Sequence, residues 1–125
     1  MKILTEAQRE LLLHNGRQQA AVKGTPGEID FVPVVKLFNP CGAGTWLLTE
    51  IEPDEPDIAW GLADLGMGCP EFGTVSLAEL AAYRGPLGIG IERDLYFVAK
   101  APISVYLDAA RRARRIIETV PETTA

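Results

Sequence analysis

A chain of 125 residues, 47% hydrophobic and 23% charged, is long enough for one packed domain over residues 1–125 and too apolar to stay disordered. Its 12 basic and 17 acidic residues leave a net charge of -5, which disfavours a general attraction to nucleic acid or to an anionic membrane surface. Two cysteines and one histidine are too few to complete a thiolate and imidazole zinc site or to staple a secreted module.

Near the N-terminus Glu6, Gln8, Arg9 and Glu10 interrupt every apolar run, so the segment is not patterned as an export signal. No stretch approaches the roughly 20 apolar residues of a membrane span. Cytoplasmic residence without membrane association is expected, with both cysteines reduced. Thr5 and Gln8 have the spacing of a capping box, and Ala7, Leu11 and Leu12 recur behind them as on a helix. Asn15-Gly16 reads as the stop, with Arg17 to Lys23 as an optional extension before the loop of residues 24–31.

Val34, Val35, Leu37 and Phe38 predict a strand closed by Asn39-Pro40-Cys41-Gly42. Thr45 to Glu52 and Asp57 to Leu65 predict a hairpin whose loop is Pro53-Asp54-Glu55-Pro56. Opposed residues share a face, so bringing Trp46 and Leu48 together with Trp60 and Leu62 pairs Leu48 with Leu62 and Glu50 with Trp60. The other face then sets Thr45, Leu47, Thr49 and Ile51 against Ala59, Gly61, Ala63 and Leu65, small enough for a helix to approach.

After the turn Gly66-Met67-Gly68-Cys69-Pro70, Phe72 to Val75 predicts a brief strand. Ser76 and Glu79 repeat the capping-box spacing before a short helix that ends near Gly85-Pro86. Ile89, Ile91 and Leu95 to Val98 predict one bent strand or two short ones, with Arg93-Asp94 as a turn. Pro102 opens a last helix with the stripe Ile103, Tyr106, Leu107, Ala110, Ala113 and Ile117, and a polar, frayed tail follows from about 120. The fold class is α+β: an antiparallel or mixed sheet of four to six short strands with the N-terminal and C-terminal helices packed on it.

Residues 37 to 83 contain Glu50, Glu52, Asp54, Glu55, Asp57, Asp64, Glu71 and Glu79 without one Lys or Arg, so the remainder of the chain is net basic. Three readings compete: a solvated tip that blunts an edge strand, an electronegative surface that docks a basic partner, and a divalent-cation site. The tip acids form no recognised ligand loop. Asp64 and Glu71 adjoin glycine turns, where carboxylates accept backbone N–H bonds; convergence with Glu50 would instead open metal or acid/base chemistry. Cys41 and Cys69 read as buried, unpaired thiols, with a reversible disulfide as the alternative because the hairpin register sets them opposite each other. His14, near a helix C-terminus, is explained by the helix dipole and takes no catalytic role. Arg111, Arg112, Arg114 and Arg115 complement a last turn, with phosphate or an acidic partner as the alternative. The glycine segments Asn39 to Gly44 and Gly85 to Gly90 contain no nucleotide-binding loop.

Taken together, Val34-Val35-Lys36-Leu37-Phe38, Thr45-Trp46-Leu47-Leu48-Thr49-Glu50, Asp54 and Asp57, Gly61-Leu62, Asp64-Leu65-Gly66, Gly68-Cys69-Pro70-Glu71 and Ser76-Leu77-Ala78-Glu79-Leu80 resemble a family of small uncharacterised bacterial proteins. That family is a domain of unknown function often encoded on plasmids and integrative elements. The resemblance covers most of the chain, most strongly 34 to 98. It implies accessory functions of mobile DNA, including interference with host defence, and it supplies no catalytic residues.

The leading expectation is a non-enzymatic binding protein without a cofactor. Glu50, Glu52, Asp54, Glu55 and Asp57 would engage a basic protein surface, and Arg111, Arg112 and Arg115 would make a second contact. One alternative is a small metal-dependent hydrolase or nuclease built from Glu50, Asp64 and Glu71. Another is nucleic-acid binding through the basic C-terminal helix, which the overall acidity disfavours.

Overall fold

The computed structural model describes residues 2–122, so the last three residues of the expected tail lie outside the described residues. Among the described residues three α-helices, α1 (Glu6–Val22), α2 (Leu77–Ala82) and α3 (Ile103–Ala113), and a short 3-10 helix (Pro86–Gly88) accompany five strands. The strands are β1 (Val35–Phe38), β2 (Thr45–Ile51), β3 (Ile58–Asp64), β4 (Glu71–Ser76) and β5 (Glu92–Arg93). They form one antiparallel sheet in the order β4-β3-β2-β1-β5, an α+β arrangement.

Alternation along the strands divides the core between the two faces. Val35, Leu37, Trp46, Leu48, Ile51 and Ala59 pack with Leu4 and Leu12 from the N-terminal segment and with Leu77 and Leu80 of α2. Leu47 and Leu62 pack on the other side with Ile103, Tyr106 and Ala110 of α3.

The β2–β3 register holds at the tip and slips further in. Glu50 opposes Trp60 and Ile51 opposes Ala59, as the parity argument requires. Beyond Thr49, Leu48 opposes Gly61 and Leu47 opposes Leu62, so the expected pairing of Leu48 with Leu62 is corrected by one residue. Thr49 is the extra residue of a β-bulge. Parity assumed equal counts on both strands, and one inserted residue reverses the side-chain alternation beyond it. Here the reversal puts Ile51 into the α1 core and Glu50 on the face with Trp60. Gly61 is required opposite the bulge, since a Cβ there would lie 2.2 Å from the Leu47 carbonyl oxygen.

The Thr5–Gln8 capping box forms as expected, with reciprocal bonds of 2.9 and 3.0 Å. Asn15-Gly16, however, does not end the helix, which runs on to Val22. β1 pairs only as far as Leu48, leaving Thr49 to Ile51 of β2 without a strand on that side, and α1 occupies the gap. Asn15 Nδ2 donates to the Thr49 carbonyl at 2.9 Å, and Gly16 abuts Ile51 so closely that a Cβ would fall 1.7 Å from its carbonyl oxygen. Burial in this contact outweighs the weak helix propensity of both residues. His14 therefore lies within α1 rather than near its C-terminus, and the dipole explanation for it lapses.

Two further expectations are corrected. Only Glu92–Arg93 joins the sheet after α2, whereas Leu95 to Val98 forms no strand: the Asp94 carboxylate accepts from the Tyr96 N–H, and Phe97 turns onto Tyr106. The last helix stops at Ala113 rather than reaching Ile117, because Arg114 adopts a left-handed conformation, φ 61°. The Ile116 N–H is then taken by Asp64 at 2.9 Å.

Candidate functional site: the acidic hairpin

The hairpin tip is set by the Glu52 N–H to Ile58 carbonyl bond (2.9 Å) and the Ile58 N–H to Glu55 carbonyl bond (2.8 Å). Its five acids have different occupations. Asp54 and Glu55 are exposed and enter no ion pair among the described residues. Asp57 is committed to the fold. One oxygen takes the Ser76 hydroxyl at 2.6 Å and the other the Ala78 N–H at 2.8 Å, while Ser76 caps α2 through the Glu79 N–H. The Ser76 hydroxyl and then the Ala78 N–H hold the Asp57 carboxyl below the usual aspartate range.

Glu52 accepts from Trp60 Nε1 at 2.7 Å and pairs with Lys23 at 3.2 Å; that ammonium also sits 4.1 Å from the centroid of the Trp60 ring. These contacts, the indole bond foremost, lower its pKa. Glu50 is the opposite case. The bulge leaves it 6% exposed, with the Thr49 hydroxyl 3.1 Å from Oε1 and no Lys or Arg in an ion pair with it among the described residues. Burial pushes its pKa up, and the Thr49 bond and the more distant Lys23 charge offset this only in part.

Beside Glu50 the sheet face is not fully covered. Trp60 stacks on Phe72 of edge strand β4, with ring centroids 5.9 Å apart and planes inclined by 21°. An open cavity of about 370 Å³ lies between Phe72, Glu50, the 28–31 segment and the first turn of α3. Gln19 fastens that segment with reciprocal bonds to Ile29, 2.8 and 2.9 Å. Asp30 caps α3 through the Ser104 N–H and hydroxyl.

Sequence reading missed Lys23, Gln19 and the Trp60–Phe72 pair as parts of this site. The first two lie in the optional extension of α1. The aromatic pair follows from the β3–β4 register, in which Phe72 opposes Leu62 and Thr74 opposes Trp60.

The three acids considered for metal or acid/base work do not converge. Asp64 lies four residues along β3 from the partner of Glu50, about 13 Å at the rise of a strand, and Glu71 opposes Ala63 at that far end. Among the described residues no three His, Cys, Asp or Glu side chains are grouped to hold a cation. Asp64 does accept the Gly66 N–H of its turn at 2.9 Å, as its setting suggested. Glu71 is exposed on β4, and no bond from its turn satisfies it among the described residues.

Cys41 and Cys69 are unpaired but exposed, correcting the expected burial. Each lies in a glycine and proline turn beyond the strand ends, where no core reaches it. Arg111, Arg112, Arg114 and Arg115 are all exposed; Arg112 pairs with Asp108 at 2.9 Å and the others enter no ion pair among the described residues. The bond from Ile116 to Asp64 sets this cluster beside the end of β3 away from the acidic tip. No described helix is long and apolar enough to cross a membrane.

The fold and surface define an α+β domain with an acidic hairpin tip at one end and an exposed arginine cluster at the other. The chain belongs to the family described as protein of unknown function (DUF2958), which residues 3–117 match. No curated protein and no solved structure matches it.

Proposed function

We propose that the protein is a non-enzymatic binding module that engages a basic protein surface through its acidic hairpin. The observation that carries this reading is the tip itself: Asp54 and Glu55 project from an all-acidic segment with no ion pair among the described residues. Charge so displayed steers a complementary partner and selects against acidic ones. Arg111, Arg112 and Arg115, all exposed, supply a second, oppositely charged contact for a partner that spans both ends. We propose an accessory role in mobile DNA as the setting of such binding, with host-defence proteins as the partner class.

The test is affinity capture from lysate of the native host, with and without nuclease, comparing the wild type with an Asp54→Lys, Glu55→Lys variant. The expected result is a stoichiometric protein that survives nuclease, weakens as salt rises and is lost with the variant. Equal capture by the reversed tip overturns the proposal. Capture that requires intact nucleic acid and the Arg111–Arg115 cluster overturns it in favour of nucleic-acid binding.

A further inference from the structure

The cavity beside Glu50 has a composition that the acidic tip lacks. Its acids are Glu28, Asp30 and Glu50, its apolar walls include Phe72, Ile103 and Leu107, and no Lys or Arg lines it. At about 370 Å³ it lies near the lower bound for small-molecule sites, a size suited to one long side chain. Asp30 is spent on the cap of α3 and Glu28 is exposed to solvent, so the buried charge within the cavity is that of Glu50.

Glu50 is difficult to explain as a fold element. A carboxylate 6% exposed with no counter-ion is costly, and a glutamine would fill the same space without that cost. The Thr49 hydroxyl lies 3.1 Å from Oε1 but also 3.3 Å from the Trp60 carbonyl, and the Gln19 amide is the other neutral group beside the carboxylate, so no cation among the described residues occupies it. The nearest cation, Lys23, is already held by Glu52 and the Trp60 ring. That neighbouring arrangement, a cation held by a carboxylate against an aromatic face, shows in this same molecule the recognition chemistry that Glu50 and Phe72 leave unfilled.

We propose that the Glu50 cavity takes an arginine side chain of a protein partner, its guanidinium pairing with Glu50 and its stem lying along Phe72 and Leu107. Arginine fits better than lysine because its planar, weakly hydrated head stacks on aromatic rings and loses less on entering a half-buried site. The inference rests on the binding reading above and deepens it: the tip supplies long-range attraction, and the cavity supplies the residue that is read.

The experiment titrates the isotope-labelled full chain with acetyl-Leu-Arg-Leu-amide, and with the same peptide carrying citrulline, which keeps the shape and removes the charge. The arginine peptide should shift the amides of Gln19, Glu50, Phe72 and Ile103 and saturate at millimolar concentration, with the citrulline peptide at least tenfold weaker. Glu50→Gln, shown to be folded by its melting curve, should erase the preference, while Glu10→Gln, exposed on α1 outside the tip and the cavity, should leave it. Equal binding of the two peptides, shifts confined to other residues, or a preference that survives Glu50→Gln overturns the pocket. Glu50→Gln is read on the peptide and the tip reversal on capture of the partner, so failure of the pocket and failure of the acidic-surface reading are told apart.

Discussion

Asn15 Nδ2 and the carbonyl oxygen of Thr49 meet at 2.9 Å across 34 residues of sequence, at the one position where β2 slips against β3. The bulged residue is thus satisfied by a helix. A strand cannot do this, because β1 has already ended opposite Leu48. The same contact holds Gly16 against Ile51, fixing the height of α1 on the sheet and so the position of Gln19 and Lys23 beside Glu50 and Trp60.

Gly16→Ala tests this docking because two effects oppose each other. In an exposed helix the change stabilises by about 1 kcal/mol. Here the new methyl would meet backbone 1.7 Å away, and the helix must shift, costing roughly 3 kcal/mol or more. Urea denaturation should show destabilisation, and Asn15→Ala should cost about 1–3 kcal/mol by orphaning the Thr49 carbonyl. A stabilised Gly16→Ala protein would show that α1 does not seat on the β2 edge.

Glu50 makes a prediction of the opposite sign. Burial raises its pKa in the folded state, so the folded protein holds this proton to higher pH than the unfolded chain does. Its contribution to stability is fully present below the unfolded value and is lost as pH rises through the folded one. Glu50→Gln should therefore melt higher than the wild type at neutral pH, with the gap closing as pH falls through the carboxylate range. A variant that melts lower at neutral pH would mean that the carboxylate is held by the fold.

The elements were legible wherever the chemistry is local. The Thr5–Gln8 and Ser76–Glu79 spacings mark two helix starts, and the apolar runs between proline and glycine turns mark the first four strands. The hairpin register at Glu50 and Trp60 was legible from parity alone. Thr49 defeated that argument further along because both strands read as regular alternation, and the extra residue is recognisable only from what packs on each face. Asn15-Gly16 misled for the same reason: glycine's cost within a helix is local, and the contact that repays it lies on another element. The acids were visible as a group, but not their division of labour. Asp57 is diverted to α2 across 21 residues, and Glu50 is buried by the bulge, leaving Asp54 and Glu55 as the tip's unengaged charge.

Arg114 carries backbone strain that a simple change relieves. Its φ of 61° is one that glycine adopts freely and arginine does not. Arg114→Gly should stabilise the protein by roughly 0.5–1 kcal/mol in urea titration, whereas Arg111→Gly, inside the helix, should cost about 1 kcal/mol. If both destabilise equally, the α3 terminus does not turn at Arg114.

Asp57 links the hairpin tip to α2, and that link makes the helix sensitive to acid. The Ser76 hydroxyl and the Ala78 N–H lower its pKa, so the unfolded chain takes up this proton first as pH falls. The stability it contributes is complete above the ordinary aspartate value and is lost as pH falls through the folded one. Asp57→Asn should lower the melting temperature at neutral pH and flatten this part of the acid limb. Ser76→Ala removes both the cap of α2 and the hydroxyl that holds Asp57, and should cost about 1 kcal/mol or somewhat more. Because the two residues share one bond, the double variant should cost less than the two single changes together. Strict additivity in that cycle would show that Asp57 does not cap α2 through Ser76, and would return it to the acids available to a partner.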